Sequence, residues 1–286
     1  MNITEQNEMD ELKALKEETL SDLLIVERYL TLQTDGKAQM KLFLKSMFNF
    51  EWTVNNEKIP EYTKAIRQEV AKIYHLIGRL QDGLKQKTSG YSKTGIDVFA
   101  GLDIDLFFVK YRTIIDYLID IAKLNYGEEM KGIKKIEDVF GFLKDKAREK
   151  KLSTSLINNS WFYLIAEYRN GLVHRGSNCA AFADKFDIPF QIYKMGLEDT
   201  IFDKEYLLYN DANLYSFRYF FVVYMSYLHY FMEELFTLMY NTNKKESTEL
   251  EDLDYDLGYL TNKEIVLSWT TDCYNAIIKD LSKFNL

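Results

Sequence analysis

From Glu61 to Ile188 the chain runs without a proline, and Pro60 and Pro189 are its only two. Proline breaks a helix interior because it lacks a backbone donor and clashes with the preceding turn. Apolar residues recur at helical spacing through most of this stretch and beyond it. Together these features predict helices over about 8–32, 36–49, 60–86, 102–125, 135–149, 153–175, 211–240 and 262–283. The expected fold is an all-α helical bundle. It has additional N- and C-terminal helices and a short strand or hairpin insertion after the helix at 153–175.

Three segments break the pattern. QKTSGYSKTG (86–95) is a turn-rich loop. Residues 184–210 lack helical period and contain Pro189 and Gly196, so short strands or a hairpin are expected there. NTNKKESTELEDLDYD (241–256) reads as an acidic linker. The chain then divides into a helical section at 1–90, a helical domain at 91–240, and a linker plus last helix at 241–286, packed on the same domain. YFFVVYMSYLHYFM (219–232) carries no Lys, Arg, Asp or Glu. A membrane-spanning helix needs about 20 apolar residues. This run is shorter, and Arg218, Glu233 and Glu234 close it, so a buried core or interface helix is expected and no membrane partner.

The net charge of −8 argues against general coating of nucleic acid, which needs an excess of Lys and Arg, but leaves room for a local basic site. Cys179 and Cys273 match no metal or redox spacing, which suits a reducing, cytoplasmic setting. The opening MNITEQNEMDELKALKEE is polar and acidic, without the pattern of a signal peptide. DLDYDLGYLTNKE (252–264) resembles a calcium loop, but Gly258 and Glu264 each fall one residue late for the ligand geometry. The sequence shows no phosphate-cradling glycine loop, nucleophile elbow or zinc-binding His pair. No metal and no cofactor are expected.

The stretch YRNGLVHRGS (168–177) places one of the three histidines at the end of a predicted helix, five residues after an arginine. Ser153 or Ser155 can cap the start of that helix, and Gly176 suits the left-handed residue past its end. Helical spacing puts Ser160, Tyr163, Glu167, Asn170 and His174 on a polar stripe. It puts Phe162, Ile165, Ala166, Leu172 and Val173 on the apolar side. Arg169 projects near the apolar edge, where its charge needs a partner or an anion. On the helix at 102–125, Arg112, Asp116 and Asp120 share a face, so either carboxylate can hold Arg169 or orient His174. The plainer alternative is a capped helix with a buried Arg–Asp pair and a surface histidine.

Arg169-Asn170-Gly171-Leu172-Val173-His174 resembles the R-x4-H motif of the HEPN superfamily, which favours a polar residue after the arginine. The order of helices over about 101–240 resembles the same family. The resemblance implies a small α-helical bundle, usually a homodimer, in which two motif helices form one composite cleft. Active members are metal-independent endoribonucleases, often toxins or phage-defence effectors. Other members are inactive binding or scaffolding modules. Some toxins carry a tyrosine two residues after the histidine, which a partner nucleotidyltransferase modifies; this chain has Gly176 there.

The residue types suit that chemistry. Histidine changes charge near neutral pH and can move a proton. Arginine can stabilise charge growing on phosphate oxygens. His174 is the expected general acid or base and Arg169 the phosphate clamp. Asn170 would hold His174 or the backbone in place, Arg175 would add phosphate affinity, and Glu167, Asp116 and Asp120 would support them. Expected partners are RNA, a second copy of the chain, and an antitoxin or regulatory protein. Two other classes stay open: a non-catalytic HEPN-like module that binds nucleotide, RNA or protein, and a structural protein that oligomerises through its aromatic helix at 211–240.

Overall fold

The structure is a computed structural model that describes residues 24–27, 29, 42–86, 97–152, 160–182, 188–193, 208–209, 214–243 and 263–283. The proline-free stretch forms long helices. Residues 24–27 are helical and precede α1 (Leu42–Thr53) and α2 (Lys58–Gln86). Then come α3 (Val98–Tyr126), a 3-10 turn (Gly127–Met130), α4 (Ile136–Glu149) and α5 (Ser160–His174). A small sheet of β1 (Asn178–Ala181), β2 (Pro189–Tyr193), β3 (Leu208–Tyr209) and β4 (Leu214–Ser216) follows α5. The chain returns to helix in α6 (Phe217–Asn243) and α7 (Lys263–Lys283). The molecule is thus an all-α bundle with a short antiparallel insertion after the helix that carries Arg169 and His174.

The sheet has the order β1-β2-β4-β3, all antiparallel. Two of its strands correct the sequence expectation. β1 precedes the segment expected to be extended, and β4 occupies the expected start of the helix at 211–240. The reason is pairing. Tyr215 is buried with Phe190 opposite it on β2 and Leu208 opposite on β3. Ser216 then accepts the Tyr219 backbone N–H at 3.2 Å and starts α6. α3 begins at Val98, before the expected boundary, because the Asp97 carboxylate accepts the Ala100 N–H at 3.0 Å. The proposed Ser153 and Ser155 caps, most of the linker at 241–256 and most of the calcium-like segment at 252–264 lie outside the described residues.

α6 is apolar nearly all round and is therefore central. Every residue from Phe220 to Met232 is buried. Among the described residues, no helix is long and apolar enough to cross a membrane. His229 sits within this run as a satisfied core residue. Its Nδ1 donates to the Met225 carbonyl at 2.6 Å and its Nε2 accepts from the Tyr74 hydroxyl at 2.7 Å. Burial pushes its pKa down to about 4. α7 joins through Trp269, whose ring lies 4.6 Å from Phe221.

α3 is the support of the candidate site. It runs antiparallel to α5, as Tyr111 meets Trp161 and Phe108 meets Tyr168. On α5 the residues Trp161, Phe162, Ile165 and Tyr168 are buried, which is one helical stripe. Val173, placed on the apolar side from the sequence, is instead 49% exposed. The buried stripe runs through Tyr168, so Val173, near the last turn, has left it.

Candidate functional site

The end of α5 brings Arg169, Asn170 and His174 together. Arg169 Nη1 donates to Asn170 Oδ1 at 3.2 Å and meets His174 Nε2 at 3.3 Å. Guanidinium can only donate, so Nε2 is the acceptor and the ring proton resides on Nδ1. His174 is exposed, whereas Arg169 and Asn170 are half-buried. Asn170 therefore meets the arginine, whereas the sequence expectation is that it holds His174 or the backbone. Arg169 and His174 thus present a guanidinium and an imidazole side by side at the end of α5.

The helix ends as its sequence requires. Gly176 has φ 64°, the left-handed conformation that glycine adopts without strain. The N–H groups of Arg175 and Ser177 both donate to the Gly171 carbonyl, at 3.0 and 3.1 Å. The chain folds back so closely that a Cβ on Gly171 would lie 2.9 Å from Ser177 Oγ. That hydroxyl is buried and has no hydrogen-bond partner in the structure. Gly171→Ala is expected to force Ser177 aside, costing about 1–3 kcal/mol, and Ser177→Ala in the same chain is expected to restore most of the loss. Urea unfolding of the two variants checks this. Additive effects in the double variant would show that the contact is not the cause.

The acidic residues do not hold Arg169 directly. Asp116 is ion-paired with Arg112 one turn away on α3. The Arg112 guanidinium lies over the Phe162 ring, 5.0 Å from its centroid. Burial raises the Asp116 carboxyl above its ordinary range, while Arg112 and then Arg169 pull it down. Burial likewise disfavours the charge on Arg112, Asp116 offsets this, and Arg169 adds a like charge. Arg112, Asp116 and Arg169 thus share one electrostatic neighbourhood. Asp120 takes part only by raising Asp116 further. Among the described residues, Arg169 has no carboxylate within ion-pairing distance. Arg175 is paired with Glu167 at 2.5 Å, both partly exposed, a contact worth little on a surface.

Two residues escaped the sequence reading. Tyr168 is fully buried edge-on to Phe108, with ring centroids 3.9 Å apart, and donates its hydroxyl to Asp105 Oδ1 at 3.2 Å. Burial pushes the Asp105 pKa up to about 6, against the opposing pull of Tyr168 and the Cys179 backbone N–H. The apolar spacing of α5 is compatible with a buried Tyr168, but nothing in the sequence marks Asp105 as its partner. Neither Cys179 nor Cys273 forms a disulfide. Burial raises the Cys179 thiol well above its ordinary value, so it is not an activated nucleophile. Among the described residues, no three His, Cys, Asp or Glu side chains gather as metal ligands would.

Comparison with family models, with curated proteins and with solved structures finds no match for this chain.

Proposed function

We propose that the chain is a HEPN-type metal-independent endoribonuclease of the toxin or phage-defence kind, acting through Arg169 and His174. The observation that carries this reading is the 3.3 Å approach of the Arg169 guanidinium to His174 Nε2 at the accessible end of α5. In the proposed reaction Nε2 exchanges its hydrogen bond from Arg169 for one from an RNA 2′-hydroxyl and takes that proton. The 2′-oxygen attacks the adjacent phosphorus, and the 5′-oxygen of the next nucleotide leaves with a proton. The products are a 2′,3′-cyclic phosphate and a 5′-hydroxyl. Arg169 stabilises the charge that builds on the phosphate oxygens, and Asn170 holds Arg169 in position. Arg112, half-buried over Phe162, adds positive potential from α3.

One histidine serves one proton transfer at a time. A homodimer with two α5 ends facing one cleft supplies the second proton carrier, and its mass by light scattering would be twice the 33.8 kDa of the chain. An antitoxin or other regulatory protein remains part of the proposal for a toxin. The test is incubation of the purified chain with single-stranded RNA in EDTA. Cleavage to cyclic-phosphate ends supports the reading, and intact RNA across a range of sequences refutes it. A second reading, a non-catalytic binding module, is favoured by one feature: Arg169 already spends its contacts on Asn170 and His174. Thermal stabilisation by phosphate without any RNA cleavage would select it.

A further inference from the structure

Asp105 projects from α3 and accepts the Tyr168 hydroxyl at 3.2 Å. Tyr168 immediately precedes Arg169. The Cys179 backbone, on β1 just past the turn, lies near enough to pull the Asp105 pKa down. One helical turn earlier on α3, Gly101 lies so close to the other end of that residue that a Cβ would sit 2.9 Å from the Cys179 carbonyl oxygen. Farther along β1, the Ala181 carbonyl accepts the Asp97 N–H at 2.8 Å. The start of α3 thus holds the backbone that leaves the motif, while Asp105, farther along the same helix, holds the residue before Arg169.

We propose that Asp105 is a positioning residue for the Arg169–His174 pair. It ties the residue before Arg169 to α3, the helix that also holds the strand after His174, and so fixes how the last turn of α5 presents its two polar groups. The Tyr168 ring is fully buried against Phe108, which holds its hydroxyl beside α3. Burial works against the charge on Asp105. A carboxylate placed at such a cost fits a role in geometry better than one in stability. It touches no substrate atom in the proposed reaction and acts through α5. The activity readout rests on the ribonuclease reading above; a second readout does not.

The full-length chain is tested as wild type, Asp105→Ala, Asp105→Asn and Tyr168→Phe. Folding of each is checked by circular dichroism. With single-stranded RNA, Asp105→Ala is expected to lower kcat by about 10-fold or more with KM within about 2-fold, because a misplaced pair loses rate before it loses binding. Asp105→Asn keeps an acceptor oxygen and is expected within about 3-fold of wild type. Tyr168→Phe removes only the hydroxyl and is expected to lose about 3-fold. Wild-type kcat in Asp105→Ala overturns the proposal. If Asp105→Ala does not fold, Tyr168→Phe decides, and its wild-type kcat overturns the proposal. A wild type that cuts no RNA refutes the ribonuclease reading. Asp105 is then judged by inorganic phosphate titration, followed by NMR at Arg169 and His174. A Kd weakened about 5-fold or more in Asp105→Ala or Tyr168→Phe supports positioning of an anion site. An unchanged Kd, or no phosphate binding by the wild type, overturns it.

Discussion

His174→Ala is expected to lower RNA cleavage by about 10²-fold or more, the usual loss when a positioned acid or base is removed. That corresponds to at least about 2.7 kcal/mol of transition-state stabilisation. His174 is exposed and its one contact in the structure is with Arg169, so the fold loses little, within about 0.5 kcal/mol. Arg169→Ala is expected to fall by a similar factor, since Arg169 has no carboxylate partner among the described residues and holds the phosphate in the proposed reaction. Arg169→Lys separates charge from shape. Lysine keeps the charge but lacks the planar fork, so partial activity is expected. Initial rates on a labelled oligoribonucleotide, with thermal unfolding on the same samples, provide the check. A large loss of stability accompanying the loss of rate would mean that the residues are structural.

Glu233→Gln is expected to stabilise the protein relative to wild type more at pH 8.5 than at pH 5, by up to about 3 kcal/mol. Glu233 lies on α6 and accepts from Ser46 at 2.7 Å and from Thr237 at 3.3 Å. Its Oε2 is buried without a hydrogen-bond partner. Burial pushes its pKa from an ordinary 4.5 up to about 7; Ser46, Thr237 and Lys45 pull it down and Glu234 pushes it up. The folded state therefore binds this proton more tightly than the unfolded chain does. Stability from this group is present in acid and is lost as pH rises from about 4.5 through about 7. Glutamine has no charge to bury, so the variant escapes that loss. His229 works the other way. With its pKa held near 4, its contribution is present above about 6.5 and is lost as pH falls through about 4. Urea unfolding of both proteins across pH 5 to 8.5 measures the difference. A gap that does not change with pH would mean that Glu233 titrates normally.

The helices were legible because two independent signals coincide: absence of proline and apolar spacing near 3.6. They specify α2, α4 and α7 to within a few residues and identify α6 as core. The sheet was only half legible. β1, Asn178 to Ala181, carries small residues with little β preference and becomes a strand through its pairing with β2. Leu214-Tyr215-Ser216 continues the aromatic run of α6, and only the burial of Tyr215 beside Phe190 makes it a strand. At the candidate site, Arg169, Asn170 and His174 were visible because they share one short segment. The partner of Asp116 was not Arg169 but Arg112, four residues earlier on the same helix, a local pairing that the spacing already allowed. Asp105 was invisible because its hydrogen-bond partner, Tyr168, comes from a distant part of the sequence.

The account stands or falls on whether His174 moves a proton from RNA. The direct measurement uses one labelled single-stranded RNA, incubated in EDTA with equal amounts of wild type and His174→Ala, followed by analysis of the new ends. The prediction is 2′,3′-cyclic phosphate ends from wild type and almost none from the variant. Equal cleavage by both proteins, or wild-type fragments that end in a 3′-hydroxyl, would contradict it.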